Sequence, residues 1–133
     1  MDSTRWLAAF AIAGVLGVLY GGWALLTFVT GREGLTAAQH RFFRDGHAHA
    51  GVLLVLSLVY FRYLEDTDFS SGLRWAAGAV LLLGVMAQSG GFFLHMAAGD
   101  KSAPSIGTRL TRSGALLIGT ALGGLAIGLV AAS

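Results

Sequence analysis

Residues 75–99, WAAGAVLLLGVMAQSGGFFLHMAAG, run from Trp75 to Gly99 without one Asp, Glu, Lys or Arg. A helix needs roughly 20 apolar residues to cross the core of a bilayer, and this stretch exceeds that. A second charge-free run, Trp6 to Gly31, does so too, and Ser113 to Ser133 just meets the length. The run from Gly46 to Phe61 is shorter and carries His47 and His49. Its helix must therefore extend into charged flanks or place polar groups below the headgroups. None of the runs shows the period-two alternation of a transmembrane barrel. The expected fold is all-α, an integral membrane four-helix antiparallel bundle. It forms a single domain over 1–133, with helices at about 5–29, 37–63, 73–97 and 107–131.

Composition agrees. Of 133 residues, 55% are hydrophobic and 12% charged, whereas a water-soluble domain commonly carries about a quarter charged residues. The apolar content is too high for intrinsic disorder. With no cysteine there is no disulfide framework, thiolate metal site or cysteine nucleophile. A net charge of +2 is too small to point to nucleic acid. The first helix is too long and too aromatic for a cleavable signal peptide. Its Trp6, Tyr20 and Trp23 suit membrane interfaces. Connections are short: Thr30 to Thr36 (TGREGLT), an acidic turn from Glu65 to Ser71 (EDTDFSS) read as solvated, and Asp100 to Ser105 (DKSAPS).

Small residues let membrane helices approach closely. Gly14, Gly17 and Gly21 in the first helix, with Gly119, Gly123, Gly124 and Gly128 in the fourth, are the expected packing positions within the bundle, with packing between protomers or against a flat cofactor as the alternative. The side holding both termini carries Arg5, Arg62 and Arg74. The other carries Arg32, Arg41, Arg44, Lys101, Arg109 and Arg112. The positive-inside rule places the second side in the cytoplasm. Without Arg41 and Arg44, which sit beside histidines, the balance decides nothing. Arg109 and Arg112 read as snorkelling flanks of the fourth helix.

All four histidines gather toward that second side: His40, His47 and His49 around the start of the second helix, His95 near the end of the third. At about 100° per residue, His47 and His49 stand roughly 200° apart and point to opposite sides of their helix. Gln88, Gly91 and His95 share one face of the third helix, and Gly90 and Gly91 leave a surface one turn below His95 open to a planar ring. Polar groups facing lipid are costly, so these residues should point inward. A structural zinc wants four ligands held tetrahedrally, and His-x-His on a helix cannot give two ligands to one metal. Heme needs only one or two axial imidazoles and accepts them from separate helices. Arg41 and Arg44 at the rim match its propionates in geometry. The expected cofactor is heme b, with copper as the other metal considered. Phe42, Phe43, Phe92 and Phe93 read as packing and interface residues.

The stretch Gly46-His47-Ala48-His49-Ala50-Gly51-Val52-Leu53 resembles one helix of the heme-copper oxygen and nitric oxide reductases. In that family's catalytic subunit a helix carries His-x-His at its outer end, one imidazole on each of two hemes. The subunit has twelve helices in three arcs of four, with its histidines largely on the second helix of each arc. The resemblance implies that this chain is like a single arc and that a homotrimer would rebuild the ring. It also implies ligand roles for His47 and His49, and for His95 by its position. The family's three adjacent copper-binding histidines and cross-linked tyrosine have no counterpart here, which counts against oxygen reduction.

The expectation is a heme b-binding protein of the bacterial cytoplasmic membrane, self-associating and active in redox or electron transfer. The cofactor residues are Arg41, Arg44, His47, His49, Gly51, Gln88, Gly91 and His95, with His47, His49 and His95 on metal. The competing expectations are a small metal or proton transporter or channel, and a structural membrane subunit.

Overall fold

Four helices follow from the four apolar runs: α1 Ser3–Thr30, α2 Ala37–Leu64, α3 Ser71–Ala97 and α4 Ile106–Ala131. They come from a computed structural model that describes residues 3–30, 34–98 and 103–133. Each is long and apolar enough to cross a membrane. The tips of the first and third connections, residues 31–33 and 99–102, lie outside the described residues. Polar side chains start the helices. Thr36 Oγ1 accepts from the Gln39 amide at 3.2 Å while Gln39 Oε1 accepts from the Thr36 amide at 3.0 Å, a reciprocal cap on α2. Ser105 and Thr108 form the same arrangement on α4, and Ser70 caps α3.

Contacts along each pair fix antiparallel neighbours. Gly14 of α1 meets Leu54 of α2, and Gly21 meets His47. Gly78 of α3 receives Phe61 of α2, while Gly46 of α2 meets Phe92 and Phe93. The arrangement is not a square. α3 touches every other helix, α4 lies mostly on α3, α1 lies on α2 and α3, and among the described residues α1 and α4 make no contact. Only 6% of the α1 apolar stretch is buried, against 39% in α3, so α3 is the axis and α1 the most lipid-facing helix. Large apolar side chains such as Leu16, Leu19, Val52, Leu116 and Ile127 are exposed, which suits hydrocarbon surroundings.

The tightest seam is between α3 and α4. Gly84 and Gly91 lie two turns apart on α3, and Gly107 and Gly114 two turns apart on α4. A methyl group at Gly91 would come within 2.5 Å of the Gly107 carbonyl oxygen, and one at Gly114 within 2.6 Å of the Gly84 carbonyl oxygen. Backbone therefore meets backbone, and Thr111 Oγ1 donates across the seam to the Gln88 carbonyl at 3.3 Å. This corrects the expected glycine positions. Gly17, Gly119, Gly123 and Gly124 face open space, and Gly14, Gly21 and Gly128 accept side chains rather than backbone. A glycine closes a seam only where its missing side chain points at a partner's main chain.

The packed core occupies the half of the bundle near both termini. Tyr60, Leu64, Leu81 and Ser57 are fully buried there, with Ile118, Ala121 and Leu125 of α4. The Tyr60 hydroxyl donates to the Ala121 carbonyl at 3.3 Å. The acidic turn is more than a solvated loop. Glu65 accepts a 2.7 Å hydrogen bond from Thr4 of α1, Arg74 donates to the Thr67 carbonyl at 2.6 Å, and the Phe69 ring fills the notch at Gly128.

Gly114→Ala should destabilise the bundle by about 1–3 kcal/mol, the usual cost of overpacking. Gly119→Ala, on an open helix surface, should be neutral or stabilising by roughly 0.5–1 kcal/mol through helix propensity. Reversible unfolding in mixed micelles, followed by circular dichroism, compares the two.

Candidate functional site

The half of the bundle opposite the packed core holds the histidines, the phenylalanine cluster and two cavities. Of the four histidines, His95 is the buried one. Its position follows from the glycine seam. Gly107 carries no side chain, so the start of α4 can lie against the backbone of His95. That brings the Ser105 cap within reach, and His95 Nδ1 and Ser105 Oγ lie 2.7 Å apart. Thr108 Oγ1 stands at 3.5 Å. The edge of Phe42 from α2 closes on the imidazole, with centroids 4.5 Å apart and planes at 72°. With Nδ1 engaged, Nε2 is the ring nitrogen left for another partner.

His95 lines a cavity of about 360 Å³ together with Phe42, Gly91, Phe92, Ala103, Pro104, Thr108 and Thr111. This lies within the range of about 300–1,000 Å³ typical of small-molecule sites. His49 packs on the ring of Phe92 from the outer surface of α2, with centroids 4.9 Å apart. Its Nδ1 is 2.9 Å from the Asp45 carbonyl oxygen. A carbonyl only accepts, so Nδ1 carries the proton and a neutral ring keeps its lone pair on Nε2. Hydrogen bonding of one imidazole nitrogen to fix the other is the usual preparation of a metal-binding histidine.

His47 points the other way, as its spacing from His49 predicts. Its imidazole lies in the notch left by Gly21 and Gly22 of α1, where added methyl groups would come within 3.2 and 3.3 Å of its ring nitrogens. The Phe43 ring lies nearly parallel to it, 6.5 Å away. A macrocycle on His47 would have to displace α1 from this notch. Gly51 also faces α1, where a methyl group would meet Val18 at 3.4 Å.

The eight residues expected to form one cofactor site are thus divided. His49, Gly91 and His95 belong to the side shared by α2, α3 and α4. His47 and Gly51 belong to the α1 seam. Gln88 stands on the α3–α4 seam, its carbonyl bonded to Thr111. Arg41 and Arg44 line a separate cavity of about 490 Å³, with Leu25 of α1, Ala37 and His40. They are not at the rim of the His95 cavity, so pairing with the propionates of a ring held by His95 is not supplied by them. The expectation of an open surface at both Gly90 and Gly91 is corrected in half: Gly90 is open, and Gly91 is closed by the α4 backbone. Among the described residues, no group of three or more His, Asp or Glu side chains could hold a metal ion.

Ser105 and Thr108 are the residues that the histidine pattern alone does not reveal. Their signal is the hydroxyl pair three apart immediately before an apolar run, which marks a helix start. Comparison with protein-family models, with curated proteins and with solved structures finds no match.

Ser105→Ala removes both the α4 cap and the His95 partner, and should cost about 1–2 kcal/mol of stability. Ser105→Thr keeps the hydroxyl and should recover most of it. Thermal unfolding of the two variants measures the difference.

Proposed function

We propose that this chain is a multi-pass membrane protein that holds heme b by imidazole ligation on the side shared by α2, α3 and α4, and that it serves redox or electron transfer. One observation carries the reading. His95 lines a cavity that has Phe92 as a wall, and His49 packs on that Phe92 from outside; each has Nδ1 already hydrogen-bonded and Nε2 left over. The donor chemistry suits iron in a macrocycle, which asks the protein for one or two nitrogens rather than a full ligand set. The apolar walls given by Phe42, Phe92, Ala103 and Pro104 suit the faces of a flat ring. When bound, the group supplies a one-electron iron couple. The chain's own part is to orient His95 through Ser105 and to keep water from it with the Phe42 edge.

Within the chain, His95 would be the residue that holds the heme iron. His49 lies on the exterior, where it serves the same ring or one shared with a second copy. Self-association as a trimer, and residence in a bacterial cytoplasmic membrane, belong to this proposal through the resemblance of the His-x-His helix to the heme-copper reductases. A structural role has one observation in its favour. The His95–Ser105 hydrogen bond also ties the end of α3 to the start of α4, which a purely structural subunit would need.

Absorbance of the full chain, purified without chelator from cells amply supplied with heme, separates the readings. A Soret band that is lost in folded His95→Ala, and weakened by roughly tenfold in heme retention in Ser105→Ala, supports ligation. Thr120→Ala, on the far half of α4, should leave the spectrum unchanged. A colourless wild-type protein overturns the heme reading. If Ser105→Ala and His95→Ala then lose equal stability, the structural role stands.

A further inference from the structure

The second cavity, between the end of α1 and the start of α2, has a different chemistry. Its floor is apolar, from Leu25 and Ala37, and its other described lining residues are His40, Arg41 and Arg44. No carboxylate is among them. Arg41 makes no ion pair among the described residues. Arg44 reaches only its neighbour Asp45, at 3.6 Å with both side chains substantially exposed. Such an exposed pair neutralises little of the charge. At 1.5 Å per residue, Arg41 and Arg44 stand roughly 6 and 10 Å along α2 from its first residue. That is the depth of the headgroups and the uppermost hydrocarbon.

We propose that this cavity binds the phosphate headgroup of an anionic phospholipid, with Arg41 and Arg44 on the phosphate oxygens. The glycerol end rests on Leu25 and Ala37, and the acyl chains lie along the exposed outer face of α1. Guanidinium groups match phosphate geometry in two-pronged hydrogen bonds, and basic pockets between membrane helices take such headgroups. Apolar lining beside two arginines, with no carboxylate among the described lining residues, fits an amphiphile better than a free anion, which would leave Leu25 and Ala37 uncovered. The reading also gives a physical reason for two arginines inside the first turns of a membrane helix that the His95 cavity does not use. It does not depend on heme binding, because the cavity lies on the opposite side of α2.

The test uses the full chain in nanodiscs of phosphatidylcholine containing a minor fraction of phosphatidylglycerol. Native mass spectrometry counts the lipids retained on release. Wild type should keep phosphatidylglycerol in preference to phosphatidylcholine. R41Q/R44Q should lose that preference by roughly tenfold, as expected for two headgroup-level charges. R109Q/R112Q removes the same charge from the start of α4 and should keep the preference, as should R41K/R44K in large part. Equal loss in R41Q/R44Q and R109Q/R112Q would reduce the effect to bulk charge and overturn the site. Equal retention of the two lipids by wild type would overturn it as well. Displacement of phosphatidylglycerol by inorganic phosphate would assign the cavity to a free anion and overturn the lipid reading.

Discussion

The structure depends on main chain meeting main chain between α3 and α4. Within a bilayer, lipid tails are as apolar as leucine, so helices gain little merely by hiding from their surroundings. Association has to come from close packing and from polar contacts that only short distances allow. Gly84, Gly91, Gly107 and Gly114 supply that distance, with a two-turn repeat on each helix so that both pairs register together. The Thr111 hydroxyl then reaches a carbonyl on the neighbouring helix, and the Ser105 cap reaches His95. The orientation of the one buried imidazole is thus set by residues that have no side chain.

The bundle is divided across the membrane. One half is filled by Tyr60, Leu64, Leu81 and their neighbours, and it is tied at its rim by Thr4 to Glu65 and by Arg74 to the Thr67 carbonyl. The other half contains rings and cavities in place of a continuous core. The four histidines all lie in this less completely packed half. Phe42, Phe92 and Phe93 fill part of that half while leaving space beside the imidazoles.

Much of this was legible in the chain. Charge-free runs locate all four helices, and the expected bounds differ from the observed ones by about two residues at most, the ordinary spread of helix ends. The opposite directions of His47 and His49 follow from the helical repeat alone. What the sequence does not contain is which neighbour each direction faces. Glycines occur on every helix, and nothing local distinguishes Gly114, pressed against the α3 main chain, from Gly119, five residues on and open. For the same reason Arg41 and Arg44 look like companions of His49 in the sequence, although α2 separates their cavity from that of His95. Ser105 was in principle readable as a helix cap, but its second role required knowing that α3 ends beside it.

The lopsided contacts also set an order of assembly. α1 and α2 can enter the membrane and pair while the rest of the chain is still being made. The seam with the shortest distances needs α4, which is made after α3. Until that segment arrives, the α3 glycine face is a bare groove exposed to lipid or to passing helices. The newborn protein therefore gains its firmest joint only once α4 has emerged, and a chain interrupted between α3 and α4 would be a three-helix intermediate with its closest-packing surface uncovered.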